Sequence, residues 1–267
     1  NTNISVTIPD SFMQKVLDNG SWDTTFITTG ETHKTYKARD LLYKIAEGAW
    51  ECADPGLQFS DNINNWNTCT NDGQIESSNP CGEFFWLNNS SCNLASINLL
   101  KFVKYDPETK AYTFDFELFQ EVVSTIITAQ DILIGKSVYP TIKITKNTTQ
   151  YRPLGLGYTN LGAMLMYLGL PYDSNEGRYI ASQITAILTG VAFLASNELS
   201  KIKGSFARFN NNKESYYNVL KNHDHELTKI RDTIDNDFSR NLSEISGNVW
   251  NQIMELVKNE EGFRNAQ

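Results

Sequence analysis

The longest helix-patterned stretch of this 267-residue chain opens at the capping run Ser174-Asn175-Glu176, extends to about Lys201 and stops at Gly204. A second, over residues 116–133, sets Phe119, Val122, Val123, Ile126 and Ile127 on one face. A stripe of that kind has to be buried against another element. The runs between such helices are short and strand-like. Ile4-Ser5-Val6-Thr7-Ile8 alternates and is β-branched, and residues 57–59, 84–86, 94–99 and 154–157 read as further strands. Strands alternating with helices predict an α/β arrangement.

Between these anchors the pattern is local and legible. Pro9-Asp10-Ser11 opens a helix over residues 12–17 that Asn19-Gly20 closes. Leu41, Leu42, Ile45, Ala46 and Ala49 make a stripe over residues 37–52, ended by Asp54-Pro55-Gly56. Asp106-Pro107-Glu108-Thr109-Lys110 is a turn, and a polar stretch rich in Lys, Thr and Asn precedes residue 154. A helix is expected over residues 159–167, and shorter ones over 213–220, 225–233 and 245–258. Strands 84–86 and 94–99 flank the polar turn at residues 88–91, which predicts a hairpin-like finger with Cys81 on its approach and Cys92 on its return. No internal repeat is visible.

Composition narrows the function classes. Hydrophobic residues at 40% and charged residues at 20% are ordinary for a soluble globular chain. No run approaches the roughly 18 apolar residues of a membrane span, and no charged-then-apolar leader opens the sequence. A cytoplasmic protein is expected. The net charge of −8, with no basic stripe among the aromatics, argues against a polynucleotide partner; a nucleotide ligand remains open. Cys52, Cys69, Cys81 and Cys92 are spaced by 17, 12 and 11 positions, without a close pair, and His33, His223 and His225 lie away from them. Such spacing predicts neither a zinc site nor a disulfide framework. Two working thiols and two structural ones are the economical reading.

The run Asn79-Pro80-Cys81-Gly82-Glu83 is the candidate site. In an extended segment alternate side chains share a face, so Asn79, Cys81 and Glu83 would point together. Pro80 stiffens the backbone and Gly82 lets it bend past a ligand. The plainer alternative is a small buried cysteine in a turn, since Asn-Pro and Cys-Gly both favour turns. Gly155-x-Gly157, at a strand-to-helix junction, could cradle phosphate. It lacks the third glycine and the downstream acid of a dinucleotide fingerprint, so close packing is expected there.

Longer motifs carry a resemblance. Trp66-Asn67-Thr68-Cys69-Thr70, Gly73, Ile75, Ser78-Asn79-Pro80-Cys81 and Cys92-Asn93-Leu94-Ala95-Ser96 are similar to the catalytic finger loop of class II, adenosylcobalamin-dependent ribonucleotide reductases. Asn3-Ile4-Ser5-Val6, Ala49-Trp50-Glu51-Cys52-Ala53-Asp54-Pro55-Gly56, Thr128-Ala129-Gln130-Asp131-Ile132-Leu133, Leu154-Gly155-Leu156-Gly157-Tyr158-Thr159-Asn160-Leu161-Gly162 and Arg264-Asn265-Ala266-Gln267 follow in the family's order. The likeness covers nearly the whole chain and is weakest over residues 210–245. One departure is Cys81-Gly82-Glu83, where many long class II enzymes have Cys-Ser-Glu.

The resemblance implies part of a ten-stranded α/β barrel with a central finger loop. Residues 1–267 would be its central segment, the finger at about 68–99 and a helical part at about 158–260. It implies that Cys81 becomes a thiyl radical that takes the ribose 3′ hydrogen, with Glu83 as general base and Asn79 orienting the ribose hydroxyls. Ser78, Asn79 and Gly82 would meet the substrate, a ribonucleoside diphosphate. Cys92 would be one of two reducing thiols, its partner lying upstream of Asn1, with a thioredoxin-type reductant behind them. Cys52 is expected to pack at its helix end, and Cys69 to lie in a polar loop. Flanking reductase segments are expected to complete the barrel, and unpaired strand edges to drive association of the isolated chain. A class I large-subunit segment, or a remnant without turnover, are the alternatives.

Overall fold

A computed structural model describes residues 2–230, 234 and 236–266. The end of the helix expected over 225–233, and Gln267 of the terminal motif, lie outside the described residues. The chain divides into two compact units, Asn1–Asn88 and Asn89–Gln267.

In the first unit, β1 (Ser5–Ile8) pairs in parallel with β4 (Gly56–Phe59), with Ser5 opposite Gly56 and Thr7 opposite Gln58. A parallel pair needs a long crossover. Here it holds α1 (Asp10–Leu17), the antiparallel pair β2 (Ser21–Thr25) and β3 (Thr32–Lys37), and α2 (Ala38–Cys52). Ile8, Phe12 and Ala38 are buried beneath them, with Met13, Val16, Trp22, Leu41 and Leu42 packed around. That core reaches only the first turns of α2. The later turns stay open, with Tyr43 and Trp50 exposed. Cys52, expected to pack, is therefore exposed, its thiol donating to the Gly48 carbonyl at 3.3 Å. The β2–β3 pair was not expected; Trp22 and Tyr36 face each other across otherwise polar strands.

After β4 comes α3 (Ser60–Asn65), then a loop and the two-residue strands β5 (Ser77–Ser78) and β6 (Phe85–Trp86). Asparagine side chains hold that loop. Asn64 donates to the Ile75 carbonyl at 3.0 Å and accepts from its N–H at 2.9 Å; Asn67 donates to the Gly73 carbonyl at 2.9 Å and accepts from the Cys69 N–H at 2.8 Å. The polar loop thus closes over Cys69, which is buried.

The second unit carries β7 (Asn93–Asn98), the hairpin β8 (Val103–Asp106) and β9 (Ala111–Phe114), α4 (Phe116–Lys136), α5 (Ile142–Tyr151), β10 (Leu154–Thr159), α6 (Leu161–Tyr167), α7 (Asn175–Lys203), α8 (Phe209–Ile230) and α9 (Asp237–Lys258). The caps act as read: Ser174 Oγ accepts from the Gly177 N–H at 2.9 Å, and Gly204 ends α7 with φ +78°. Phe119, Val123 and Ile127 of α4 meet Ile184, Ile187 and Val191 of α7 and Leu242 and Val249 of α9 in one core. Helices α4 and α7 are long and apolar enough to cross a membrane by length and composition, which corrects the expectation that no run approaches that limit. Their buried faces make this core. The polar stretch before residue 154 folds as α5, capped by Thr141. The helices expected separately at 213–220 and from 225 join into α8, whose Phe209 and Tyr216 stack with Phe206 and Phe263.

The class is mixed α/β. Among the described residues no sheet exceeds two strands, so these residues close no barrel. The expected finger hairpin of residues 84–86 with 94–99 does not form: β6 pairs antiparallel with β5, and β7 pairs parallel with β10.

Candidate active site

Cys81 sits at the tip of the β5–β6 hairpin, in which Ser77 faces Trp86 and Ser78 faces Phe85. The tip is a tight turn and not the extended run that would align Asn79, Cys81 and Glu83. Gly82 N–H donates to the Asn79 carbonyl at 3.1 Å, and Phe84 N–H donates to Asn79 Oδ1 at 3.0 Å. Asn79 is thereby drawn into the turn, half-buried, while Cys81 and Glu83 are exposed. Its amide NH2 has no partner among the described residues and is free to donate. Gly82 has φ +79°, the left-handed region that a residue with a Cβ enters at a cost. The buried-cysteine alternative therefore fails for Cys81 and holds for Cys69.

Two-residue strands cannot hold a hairpin by themselves. A side chain from β4 supports this one. Gln58 Nε2 donates to Ser78 Oγ at 2.8 Å, and Ser78 Oγ donates to the Asn79 carbonyl at 2.8 Å. Sequence reasoning missed Gln58. Its signal was a polar residue between Leu57 and Phe59, an alternation the structure inverts: Gln58 is 7% exposed, Leu57 37% and Phe59 40%.

Cys92, in the second unit, is half-buried immediately before β7, its thiol 3.5 Å from the Asn93 carbonyl. On β10, which faces β7 with Gly155 opposite Leu94, a Cβ on Gly155 would lie 2.5 Å from Cys92 Sγ and 3.1 Å from the Asn93 carbonyl oxygen. Gly155 is there for close approach, as expected. Gln130 of α4 ties the two strands, its Nε2 donating to the carbonyls of Gly155 at 2.8 Å and Asn93 at 3.2 Å. Asn93 Nδ2 donates back to the Gln130 carbonyl at 2.9 Å.

The adjacent Asp131 is buried and gathers the chain end. It accepts from Arg152 Nε at 2.6 Å, Asn265 Nδ2 at 3.0 Å and Arg264 Nε at 3.4 Å. Tyr216 OH donates to the Asn265 carbonyl at 2.9 Å. Two motifs far apart in sequence, Gln130-Asp131 and Arg264-Asn265, are thus one clamp behind the β7–β10 pair.

Among the described residues no group of three or more His, Cys, Asp or Glu is arranged to hold a metal ion. A cavity of about 360 Å³, lined by residues including Asn175, Arg178, Tyr179 and Ile230, is at the low end of what takes a drug-sized ligand. A corrin ring with its nucleotide tail is far larger. That cavity is not a corrin site; the exposed thiol of Cys81 is the group on which cobalamin chemistry would act.

A family model described as "Ribonucleotide reductase, barrel domain" matches residues 1–267, and the chain belongs to that family. It is 43% identical over 269 residues to the vitamin B12-dependent ribonucleotide reductase of Streptomyces coelicolor, covering 100% of this chain and 27% of that protein. It is 41% identical over 269 residues to the protein of the same name from Rhodopirellula baltica, covering 100% of this chain and 25% of that one. To the vitamin B12-dependent ribonucleoside-diphosphate reductase of Thermoplasma acidophilum it is 38% identical over 207 residues, 77% of this chain and 26% of that protein. The chain spans about a quarter of the length of these relatives.

Proposed function

We propose that this chain carries the thiol site of a class II, vitamin B12-dependent reductase that converts ribonucleoside diphosphates to deoxyribonucleotides, acting within a longer protein. The observation that carries this reading is the exposed Cys81 on a turn shaped by Asn79 and Gly82, with an open carboxylate at Glu83, in a chain matched by the family throughout. The diphosphate preference is supported by the name of the Thermoplasma relative.

Adenosylcobalamin, when bound, would supply the radical chemistry that leaves Cys81 as a thiyl; no residue of this chain is assigned to holding the corrin. The Cys81 sulfur radical then takes the 3′ hydrogen of the ribose. S–H and ribose C–H bonds are close in strength, so the transfer is nearly thermoneutral and can be reversed at the end of the cycle. Glu83 takes the proton of the 3′ hydroxyl, which eases departure of the 2′ hydroxyl as water. Asn79, its Oδ1 held by the Phe84 N–H, donates its NH2 to a ribose hydroxyl and fixes the sugar. Ser78 contributes through the turn that its hydroxyl braces, and Gly82 by presenting bare backbone to the sugar. Cys92 and a second thiol outside this segment each give up a hydrogen and join as a disulfide, balancing the two electrons that reduce the ribose. A thioredoxin-type dithiol restores them. Flanking segments cover the open edges of the β1–β4 and β7–β10 pairs, and without them the isolated chain associates. A cytoplasmic location goes with this reading.

The test is deoxycytidine nucleotide formation from cytidine diphosphate and triphosphate by the longer protein, with adenosylcobalamin and a dithiol. The expected product comes from the diphosphate and is abolished by Cys81→Ala. Turnover that survives Cys81→Ala would sink the assignment; preference for the triphosphate would overturn only its substrate.

A further inference from the structure

We propose that Gln58 is a positioning residue for the Cys81 turn, acting through the Ser78 hydroxyl on the Asn79 carbonyl. This deepens the reading of Cys81 as the reacting thiol and rests on it. A primary amide 7% exposed on a strand is costly unless its polar atoms are engaged, so its burial has to be matched by what it holds. Across the parallel pair, Thr7 Oγ1 lies 3.5 Å from Gln58 Oε1, in register opposite it. On the other side Nε2 donates to Ser78 Oγ at 2.8 Å.

That second bond decides direction. A serine hydroxyl has one proton. With Gln58 as donor, the hydroxyl accepts from it and turns its proton to the Asn79 carbonyl, 2.8 Å away. The same carbonyl takes the Gly82 N–H at 3.1 Å, the bond that closes the turn under Cys81. The relay therefore runs one way, from β1 through β4 and β5 into the turn, and each bond polarises the next. It also explains how a hairpin of two-residue strands holds a fixed tip: its brace is a side chain from the β1–β4 pair and not its own ladder. A donor at position 58 is the requirement. An apolar residue of the same length would fill the space and leave the serine proton free to turn elsewhere.

The experiment is amide hydrogen exchange on the longer protein that contains this chain, corrected for intrinsic rates, with site-resolved alkylation of Cys81 by iodoacetamide against Cys52 as the internal reference. In Gln58→Met the Gly82 and Phe84 amides are expected to lose about tenfold in protection, with the Cys81-to-Cys52 alkylation ratio shifted. The β2–β3 amides should stay within about twofold of the parent. Ser78→Ala should reproduce the loss, and the double variant should add nothing to it. Gln58→Glu supplies a readout that mere packing would not move: protection at pH 4, where a carboxyl with an ordinary pKa of about 4.3, raised further by burial, keeps a proton to donate, and loss at pH 8, where it can only accept. Unchanged exchange at Gly82 and Phe84, equal loss at β2–β3, additive single variants, or a pH-independent Gln58→Glu would each overturn the proposal. If Gln58→Met does not fold, Ser78→Ala and Gln58→Glu carry the test alone. None of these readouts needs turnover, so failure of the relay and failure of the reductase reading are separable.

Discussion

Gly155→Ala is expected to damage the Cys92 site by overpacking, and the structure sets the size of the effect. The new Cβ would stand 2.5 Å from Cys92 Sγ, 2.7 Å from Leu94 Cδ2 and 3.1 Å from the Asn93 carbonyl oxygen. Comfortable contacts between such atoms begin near about 3.5 Å, so sulfur and methyl each have to give by about 1 Å. Leu94 is 68% exposed and can swing outward. The sulfur has less room, and the two strands cannot part without breaking the bonds from Gln130 to the Gly155 and Asn93 carbonyls. Overpacking of this kind costs about 1–3 kcal/mol, and the gain from replacing a strand glycine returns about 0.5–1 kcal/mol. The net loss should be about 1–2 kcal/mol, read as faster exchange of the β7–β10 amides. Gly157→Ala is the control, because nothing lies within 4 Å of its Cβ position; it should be neutral or slightly stabilising. Adding Cys92→Ala to Gly155→Ala removes the clashing sulfur, so the pair should couple by about 1 kcal/mol in the favourable direction. Equal behaviour of the two glycine variants, or no coupling with Cys92→Ala, would refute the reasoning.

Removing the buried carboxylate in Asp131→Ala leaves Arg152 charged and unpaired in a buried site, and urea denaturation should show a loss of about 3–5 kcal/mol; a loss below about 1 kcal/mol would deny the clamp its role. Burial beside Phe193 and Trp250 lowers the His223 imidazole from 6.5 to about 4. Between those values the unfolded chain binds a proton that the folded chain refuses, so this contribution is complete above pH 6.5 and lost as pH falls towards 4. Its ceiling is about 3 kcal/mol. Relative to His223→Phe, the parent should therefore lose stability on going from pH 7 to 5, and parallel stability curves would contradict it. Gly82→Ala meets no atom within 4 Å but must hold φ +79°. The turn should survive with about 1 kcal/mol of strain, read as severalfold faster exchange at Phe84.

Much of this architecture was legible in the residues. Helices α2, α4 and α7, the Ser174 cap and the Gly204 stop follow from periodicity and capping over a few consecutive residues. So do β1, β4 and β10. The elements that escaped have weak local signals. Strands β2 and β3 are polar and find each other, and α5 is rich in Thr and Asn and begins on a Thr141 cap. The candidate site was legible as a set of residues and misread as a geometry. Asn79, Cys81 and Glu83 stand in the sequence in alternation, yet the Phe84 N–H bond to Asn79 Oδ1 curls the backbone into a turn in place of an extended run, with Asn79 half-buried and Cys81 and Glu83 exposed. Cys52 lies exposed where packing was expected, because the small core under α2 stops short of its last turn; Cys69 lies in the expected polar loop but buried, because asparagines fold that loop over it.

The sequence by itself determined which residues carry reactive groups, where the long helices start and stop, and the family to which the chain belongs. Those depend on side-chain chemistry and on interactions a few residues long. Only the tertiary structure decided which strands pair, that Gln58 faces inward to brace the Cys81 turn, that Gly155 makes room for Cys92, and that Asp131 gathers Arg152, Arg264 and Asn265. The β5–β6 pair joins positions seven and nine residues apart, and the others span about twenty to more than a hundred; no local pattern encodes such a partner until packing has brought it within bonding distance.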